Sequence, residues 1–507
     1  MAKVVFKKDK SNQLMLLPPD LGSLVPDNHL VRVVDKVIDE LKLSPLFDTY
    51  KGGGTSSYSP RMLLKVITYA YIEKIYTARP IAKALKENIY FMWLSGMSTP
   101  DFTTVNNFRS KRLKESVDDV FSSVIEVLVD GGYIKAENLF VDGTKIEANA
   151  NKYSYIWKKN VERHEAVVKE RVKKLLSHIE ELQKAEDAEY GSHDLEEYEG
   201  KISAEQIDKV VSDINQKISN WAKSNKPKLT QLKDEAGKLK KYQDQKKKLG
   251  GRNSCSKTDN DATFFRMKED HYGSQLKPAY NVQIATENQF ILGYGVYQKA
   301  ADTSVFIPFM NRMRNELKIP IKNVTADAGY GSEENYDYVA RYGIGNYIKF
   351  NNFDHEKTKS YKENKFISDH FVFDKKNNQY ECPTGQKLDF AFVKKTQTEG
   401  GYQLEKMVYR SRCCEGCKYK EKCCKGQNNR SLEVCPKLIR YKNIVRKNLE
   451  SESGQKLTSQ RGVDVESVFG QIKHNKQFRR FYTKGIKNVS TEWGIISIAH
   501  NIKKMAN

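Results

Sequence analysis

The chain has 507 residues, 39% of them hydrophobic and 11% aromatic, which excludes a disordered polymer and suits roughly two to four domains with real cores. A net charge of +22 and a pI near 9.3 favour a polyanionic partner, because basic side chains that neutralise phosphates release condensed counterions. No apolar run approaches the ~18 residues of a membrane span, and Met1 to Lys10 lack the apolar core of a secretory signal; a cytoplasmic protein with reduced cysteines is expected.

Residues 1–20 read as a basic, weakly structured arm. Pro26-Asp27-Asn28 then starts a helix with an Asx cap, and Leu30, Val33, Val34, Val37, Ile38 and Leu41 give it an apolar stripe. Gly52-Gly53-Gly54 breaks the chain, and Pro60 opens a second helix to about Tyr76. A short helix over Ile81–Asn88 follows, and Ser98-Thr99-Pro100-Asp101 caps another over Phe102–Leu113. That last helix carries Thr103, Asn106, Arg109, Lys111 and Arg112, residue types that reach base edges and phosphates from a major groove. The plain alternative is a basic surface helix of an all-helical domain.

Leu139-Phe140-Val141-Asp142-Gly143-Thr144 is an apolar run that delivers a carboxylate at a strand end. Between Tyr153 and Gly250 the composition turns to Lys, Glu and Gln. Val168, Val172, Leu175, Ile179 and Leu182 alternate steps of four and three; Ile207, Val210, Ile214, Ile218 and Trp221 nearly repeat them, and Leu232, Leu239, Tyr242 and Leu249 form a looser run. Such a seam predicts a long helical hairpin or coiled coil inserted into the fold.

After it, Lys277–Ala285 and Phe290–Tyr297 read as a hairpin beside the Asp142 strand, and Thr303–Leu317 as a helix. Asn323-Val324-Thr325-Ala326-Asp327-Ala328-Gly329 repeats the first pattern, a short β run ending in an aspartate and a Gly-bearing turn. A helix from Ser332 to Tyr342 and a strand near Gly345–Phe350 complete an order that belongs to a mixed α/β sheet.

Cysteines cluster downstream at Cys382, Cys413, Cys414, Cys417, Cys423 and Cys424, with Cys255 and Cys435 apart. Cys382, Cys414, Cys417 and Cys423 have the spacing of a closed, structural four-thiolate zinc site, although the doubled cysteines leave the register open and thiol packing without metal is the alternative. Arg461 to Lys473 then reads as an amphipathic helix with Val465, Phe469 and Ile472 on one side and Glu466 beside that face. Asp142, Asp327 and Glu466 together suit two divalent cations and phosphoryl chemistry. Asp302, Asp259 and Asp261 are reserve carboxylates, read as turn and cap residues. Trp493 and His500 lie in a core helix.

Pro60–Leu63, Phe91–Gly96, Phe140–Thr144, Ala326–Tyr330, the Cys-x2-Cys segment and Glu466–Lys473, in this order, resemble a DDE transposase of bacterial insertion sequences. The resemblance runs from about residue 15 to the C-terminus. It implies an RNase H-like core behind an N-terminal DNA-binding domain, with Asp142, Asp327 and Glu466 holding Mg²⁺ or Mn²⁺. Lys473, seven residues after Glu466, would meet the DNA backbone. A related signature places an arginine four residues before the glutamate; here Gly462 stands there and Arg461 one position earlier, so the phosphate role of Arg461 departs from the pattern. The implied reaction is cleavage and strand transfer at terminal inverted repeats of double-stranded DNA by a homodimer or higher assembly. The alternatives are an RNase H-fold endonuclease and a catalytically inactive DNA-binding regulator or scaffold. The expected organisation is an N-terminal helical domain over 1–118, a core from 119–154, 255–350 and 440–507, a helical insertion over 155–254 and a cysteine-rich insertion over 351–439.

Overall fold

A computed structural model of the protein describes residues 20–50, 57–190, 226–267, 275–424 and 428–506, with 209, 212 and 426 besides. The N-terminal region is helical: Leu30–Glu40, Pro60–Ile72, Ala78–Glu87, Ile89–Leu94 and Phe102–Asn107. The first helix is capped by His29, whose Nδ1 accepts the Val31 amide, rather than by the expected Asx pair. Ser59 and Asp101 cap their helices through the Met62 and Thr104 amides. Past Asn107 the chain stays helical through one wide turn, Phe108–Arg112, whose bonds close five residues apart, into Leu113–Asp130.

The strands are β1 Asn138–Glu147, β2 Tyr155–Trp157, β3 Ser254–Ser256, β4 Thr263–Arg266, β5 Leu276–Glu287, β6 Phe290–Tyr297, β7 Asn323–Ala326, β8 Gly345–Ile348, β9 Val372–Asp374, β10 Gln379–Glu381, β11 Lys387–Gln397, β12 Gln403–Ser411 and β13 Ser431–Val434. The main sheet is mixed. β1 runs parallel to β7 and β7 to β8, whereas β1–β5, β5–β6 and β4–β5 are antiparallel. β5 and β6 form the expected hairpin against the Asp142 strand. β1 is placed at its start by the buried carboxylate of Glu287, which accepts the amides of Lys135, Ala136, Glu137 and Asn138.

The helix Ile486–Met505 is apolar nearly all round and buried from Val489 to Ile502, as expected of a core helix. Its polar residues are spent internally. Asn501 Oδ1 accepts the Ile291 amide at 2.8 Å and its Nδ2 donates to the Ile291 carbonyl at 2.8 Å, doing for β6 what another strand would do. This helix packs on β6, on Leu113–Asp130 and on Pro60–Ile72, so one core runs from the N-terminal helices into the sheet.

Between β2 and β3 lie the paired helices Lys158–Tyr190 and Lys226–Leu249. Val168 and Val172 are buried, and so are Leu232, Leu239 and Leu249. The looser third run is therefore the partner of the first; the run from Ile207 to Trp221 lies outside the described residues. Glu165 is buried and ion-paired to Lys169 and, across the two helices, to Lys246. A second antiparallel sheet, in the order β13-β12-β11-β10-β9, carries the cysteines at one end.

Candidate active site

The sheet register brings the two aspartates together. Val141 and Ala326 are paired across the parallel strands β1 and β7, so Asp142 and Asp327 are the next residues of two adjacent strands. β7 ends there, while β1 continues against β5 to Glu147, which also bridges to Arg480, and the notch beyond the β7 end is where both carboxylates stand. Asp142 Oδ1 accepts the Gly143 amide at 2.8 Å, and Asp327 Oδ1 caps the following turn through the Gly329 amide at 2.9 Å. The Asp142 side chain is 18% exposed and that of Asp327 46%.

The helix Glu452–Arg461 continues through a wide turn, Gly462–Glu466, one ordinary turn and a second wide turn, Gln471–Asn475. In a turn closed five residues apart, the residue five back stands nearly above the later one, the place held in an ordinary helix by the residue four back. The extra residue between Arg461 and Glu466 is absorbed in this way. Arg461 Nη2 lies 3.3 Å from Asp142 Oδ2 and 3.9 Å from Asp327 Oδ2. Twelve residues further on, Lys473 is 7% exposed and its Nζ donates to Thr144 Oγ1 at 2.7 Å. Asp142 and Thr144 share a face of β1, so this helix lies along that face, with Arg461 over one and Lys473 over the other.

Glu466 is exposed, and among the described residues no three acidic, histidine or cysteine groups stand close enough to hold one ion between them. The expected meeting of all three acids is not what this arrangement shows: the Arg461 guanidinium faces both aspartates and supplies the positive charge there. That charge is insufficient. Burial pushes the Asp142 carboxyl up to about 6, Arg461 and the Gly143 amide pull it down, and Asp327 and Asp302 push it up again. A buried carboxylate still short of positive charge, beside a second carboxylate, is the donor chemistry that a hard divalent cation takes. The pair fits such an ion.

Behind this face lies a polar network that the sequence reading left unnamed. Asp302, held in reserve there, starts the helix Asp302–Asn311, and its Oδ1 accepts from Asn281 at 2.9 Å, Gln283 at 3.1 Å and Lys145 at 3.3 Å. Gln283 Oε1 accepts the Tyr330 hydroxyl, and both residues are fully buried. Asp259 and Asp261 are turn and cap residues, as read: Asp259 accepts from Tyr280 and the Gly485 amide, and Asp261 from the Ile486 amide.

The basic helix divides. Arg109 is 8% exposed, and its Nη1 donates to Tyr71 Oη at 3.0 Å and to the Tyr76 carbonyl at 2.9 Å. Arg112 donates to the Thr49 carbonyl and lies over the Tyr50 ring. Arg109 is buried, which corrects the expectation that it meets DNA; Arg112 is half-buried and its guanidinium is taken up by the Thr49 carbonyl and the Tyr50 ring. Lys111 is exposed.

Cys382, Cys413, Cys414, Cys417, Cys423 and Cys424 line one cavity, all as free thiols. Gly385 and Gly416 take positive φ in the tight turns beside Cys382 and Cys417, and the Arg430 amide donates to Cys414 Sγ at 3.3 Å. Burial pushes the Cys423 thiol up, and Cys382, Cys414 and Cys424 push it further. Cys255 is a buried residue of β3, away from this group.

Two known families match the chain. The Transposase DDE domain matches residues 381–506, a span with Glu466 and Lys473, and the Transposase domain (DUF772) matches residues 19–111, the N-terminal helices. The two aspartates lie between the matched spans. No curated protein matches the chain. A transposase domain at each end supports a transposase. With the DDE match, the kind supported is a DDE transposase of insertion-sequence type, which implies DNA as partner and dependence on a divalent metal. Among the described residues no helix is long and apolar enough to cross a membrane.

Proposed function

We propose that this chain binds the terminal inverted repeats of an insertion sequence and catalyses DNA cleavage and strand transfer by in-line displacement at phosphorus. The observation that carries the reading is the placement of Asp142, within β1, beside Asp327, at the end of the parallel strand β7, under the helix that bears Arg461, Glu466 and Lys473. The strand order β6-β5-β1-β7-β8 fits an RNase H-like core, with the domain limits given above.

Asp142 and Asp327 would hold Mg²⁺ or Mn²⁺ between them, and Glu466, which stands apart from them here, would complete a two-ion site only by moving toward them. When bound, these ions supply Lewis-acid charge at the attacked phosphate and lower the pKa of the attacking hydroxyl. The chain's own residues do the rest by placement. The aspartates fix where the reacting phosphate sits. Arg461 presents a planar donor fork that suits a phosphate once the carboxylates have other partners. Lys473 holds Thr144 and adds positive charge along the same face. Exposed Lys111 belongs to the surface that neutralises the DNA backbone, and a homodimer or larger assembly on DNA would bring two ends together. No three of the six described thiols of the cysteine cavity are at ion-holding distance from one another as they stand; Cys382, Cys414, Cys417 and Cys423 would have to close around one structural Zn²⁺ on binding it.

The test is a DNA carrying the element's terminal repeats, incubated with Mg²⁺ and the full chain. Cleaved and joined products are expected, and Asp142→Ala or Asp327→Ala should abolish both. Undiminished strand transfer by either variant rejects the assignment. Cleaved ends that are never joined would favour a plain endonuclease instead.

A further inference from the structure

Asp142 and Asp327 are tied together from the face of the sheet opposite Arg461. Gln283 is paired with Gly143 across β1 and β5, and its amide lies where any side chain at residue 143 would go: a Cβ there would run into the Gln283 amide. Gly143 follows Asp142 directly, and its missing side chain is what lets Gln283 cross behind the strand. At its far end, Gln283 Oε1 accepts the hydroxyl of Tyr330. Tyr330 closes the turn that Asp327 opens, its amide donating to the Asp327 carbonyl at 3.2 Å. Asn335 anchors that turn further, donating to the Tyr330 carbonyl at 2.7 Å and the Thr303 carbonyl at 3.1 Å. One buried amide thus touches both the strand that bears Asp142 and the turn that Asp327 opens.

What orients that amide is Asp302, directly and through Asn281. A glutamine side chain can present its two ends either way round, and here two acceptors fix the choice: Gln283 Nε2 donates to Asn281 Oδ1 at 2.9 Å and to Asp302 Oδ1 at 3.1 Å, which turns Oε1 toward Tyr330. Asn281 and Lys145 donate to the same oxygen, so Asp302 is held from two strands. Every member of this chain has a partner, the condition under which a buried polar network rigidifies its surroundings.

We infer that Asp302, acting through Gln283 and Tyr330, is a positioning residue that sets the spacing of Asp142 and Asp327 for a shared divalent cation. The inference rests on the proposed metal-dependent reading of the site. Groups that hold metal ligands in place commonly change metal affinity by about 10–100-fold when removed.

The experiment measures Mn²⁺ binding to the full chain by electron paramagnetic resonance, without DNA, beside circular dichroism and thermal unfolding. Tyr330→Phe keeps the buried ring and removes only the hydroxyl; Asp302→Asn keeps the shape and removes the charge that orients Gln283. Each should stay folded and bind Mn²⁺ at least about tenfold more weakly. Asp302→Glu, which restores the charge, should recover part of the loss. Folded variants with wild-type Mn²⁺ affinity overturn the inference while leaving the site reading intact. Unfolding of both variants also overturns it, since the network would then be a core element. Wild-type protein that binds no Mn²⁺ overturns the site reading and this inference with it.

Discussion

Arg461 Nη2 lies 3.3 Å from Asp142 Oδ2, yet this ion pair leaves the Asp142 carboxyl pushed up to about 6. The guanidinium is shared with Asp327, and burial outweighs it. Its folded value is therefore above the ordinary carboxylate value of 3.8, so the folded state binds the proton more tightly than the unfolded chain.

The sign of the consequence follows. Stability from this group is fully present below about pH 4 and lost as pH rises through about 6, a loss of up to roughly 3 kcal/mol. Asp142→Asn should therefore raise the melting temperature of metal-free protein above pH 6 and leave it unchanged near pH 4. Scanning calorimetry in EDTA across that range checks it. A variant no more stable than wild type at pH 8 would contradict the balance described. A gain in stability on removing a charged group is what a site built to receive a cation should show.

Lys476 offers the opposite sign. It ends the helix that carries Glu466 and Lys473, is 3% exposed, and its Nζ has no hydrogen-bond partner among the described residues. Burial, with Lys503 nearby, pulls its ammonium down from 10.5 to about 7. The unfolded chain thus binds more protons between those values, and stability rises with pH across them. Lys476→Met should stabilise the protein by roughly 5 kcal/mol below pH 7, with the gain shrinking toward pH 10. Urea unfolding at pH 6 and pH 9 measures both ends. An equal effect at the two pH values would show that packing, not charge, governs the site.

How far the sequence led is clearest at these residues. The runs before Asp142 and Asp327 marked both as strand ends, because apolar alternation and a following glycine are local signals; β7 does end just before Asp327, whereas β1 continues past Asp142 to Glu147, since Gly143 is needed there for the approach of Gln283 and not for a turn. Their adjacency depends on the β1–β7 register, which no local pattern states. Arg461 looked out of step with Glu466 because helical spacing was counted at 3.6 residues per turn, and the wide turn Gly462–Glu466 breaks that count. Arg109 reads as a DNA contact on residue type alone, and type does not reveal that Tyr71 and the Tyr76 carbonyl bury it. Gln283 and Tyr330 were invisible for another reason: each sits in an ordinary strand or turn, and only the fold sets them against Gly143 and Asp327.

The basic helix Phe102–Arg112 yields a paired prediction. Arg109 donates to Tyr71 and sits near the fully buried Glu492, whose carboxylate also accepts from Thr483 at 2.7 Å. Arg109→Met leaves that carboxylate without its nearest positive charge and should cost about 3–5 kcal/mol of stability. Lys111→Ala should leave stability within about 0.5 kcal/mol, and should lower by about 1 the slope of log affinity for end DNA against log salt. Chemical denaturation and fluorescence anisotropy at several salt concentrations separate the two. A stable Arg109→Met protein with a reduced salt slope would return Arg109 to the DNA surface.

The cysteine cavity makes the last prediction, and it concerns register. Six of the eight cysteines line it, more than one tetrahedral ion needs. Cys423 has its thiol pushed up by burial and by Cys382, Cys414 and Cys424, a crowding that a divalent cation reverses by taking thiolates as ligands. Cys424 instead donates its Sγ hydrogen to the Asn428 carbonyl at 3.5 Å, turned to a backbone partner. Purified protein should therefore carry one zinc per chain by elemental analysis. Cys417→Ser and Cys423→Ser should lose it and lower the melting temperature, whereas Cys424→Ser should keep it. Because this zinc would be structural, its loss should loosen the β9–β13 sheet, seen as faster amide exchange in β11 and β12, before it affects cleavage. A zinc-free, fully folded protein with all eight thiols titratable would show that these cysteines serve packing alone.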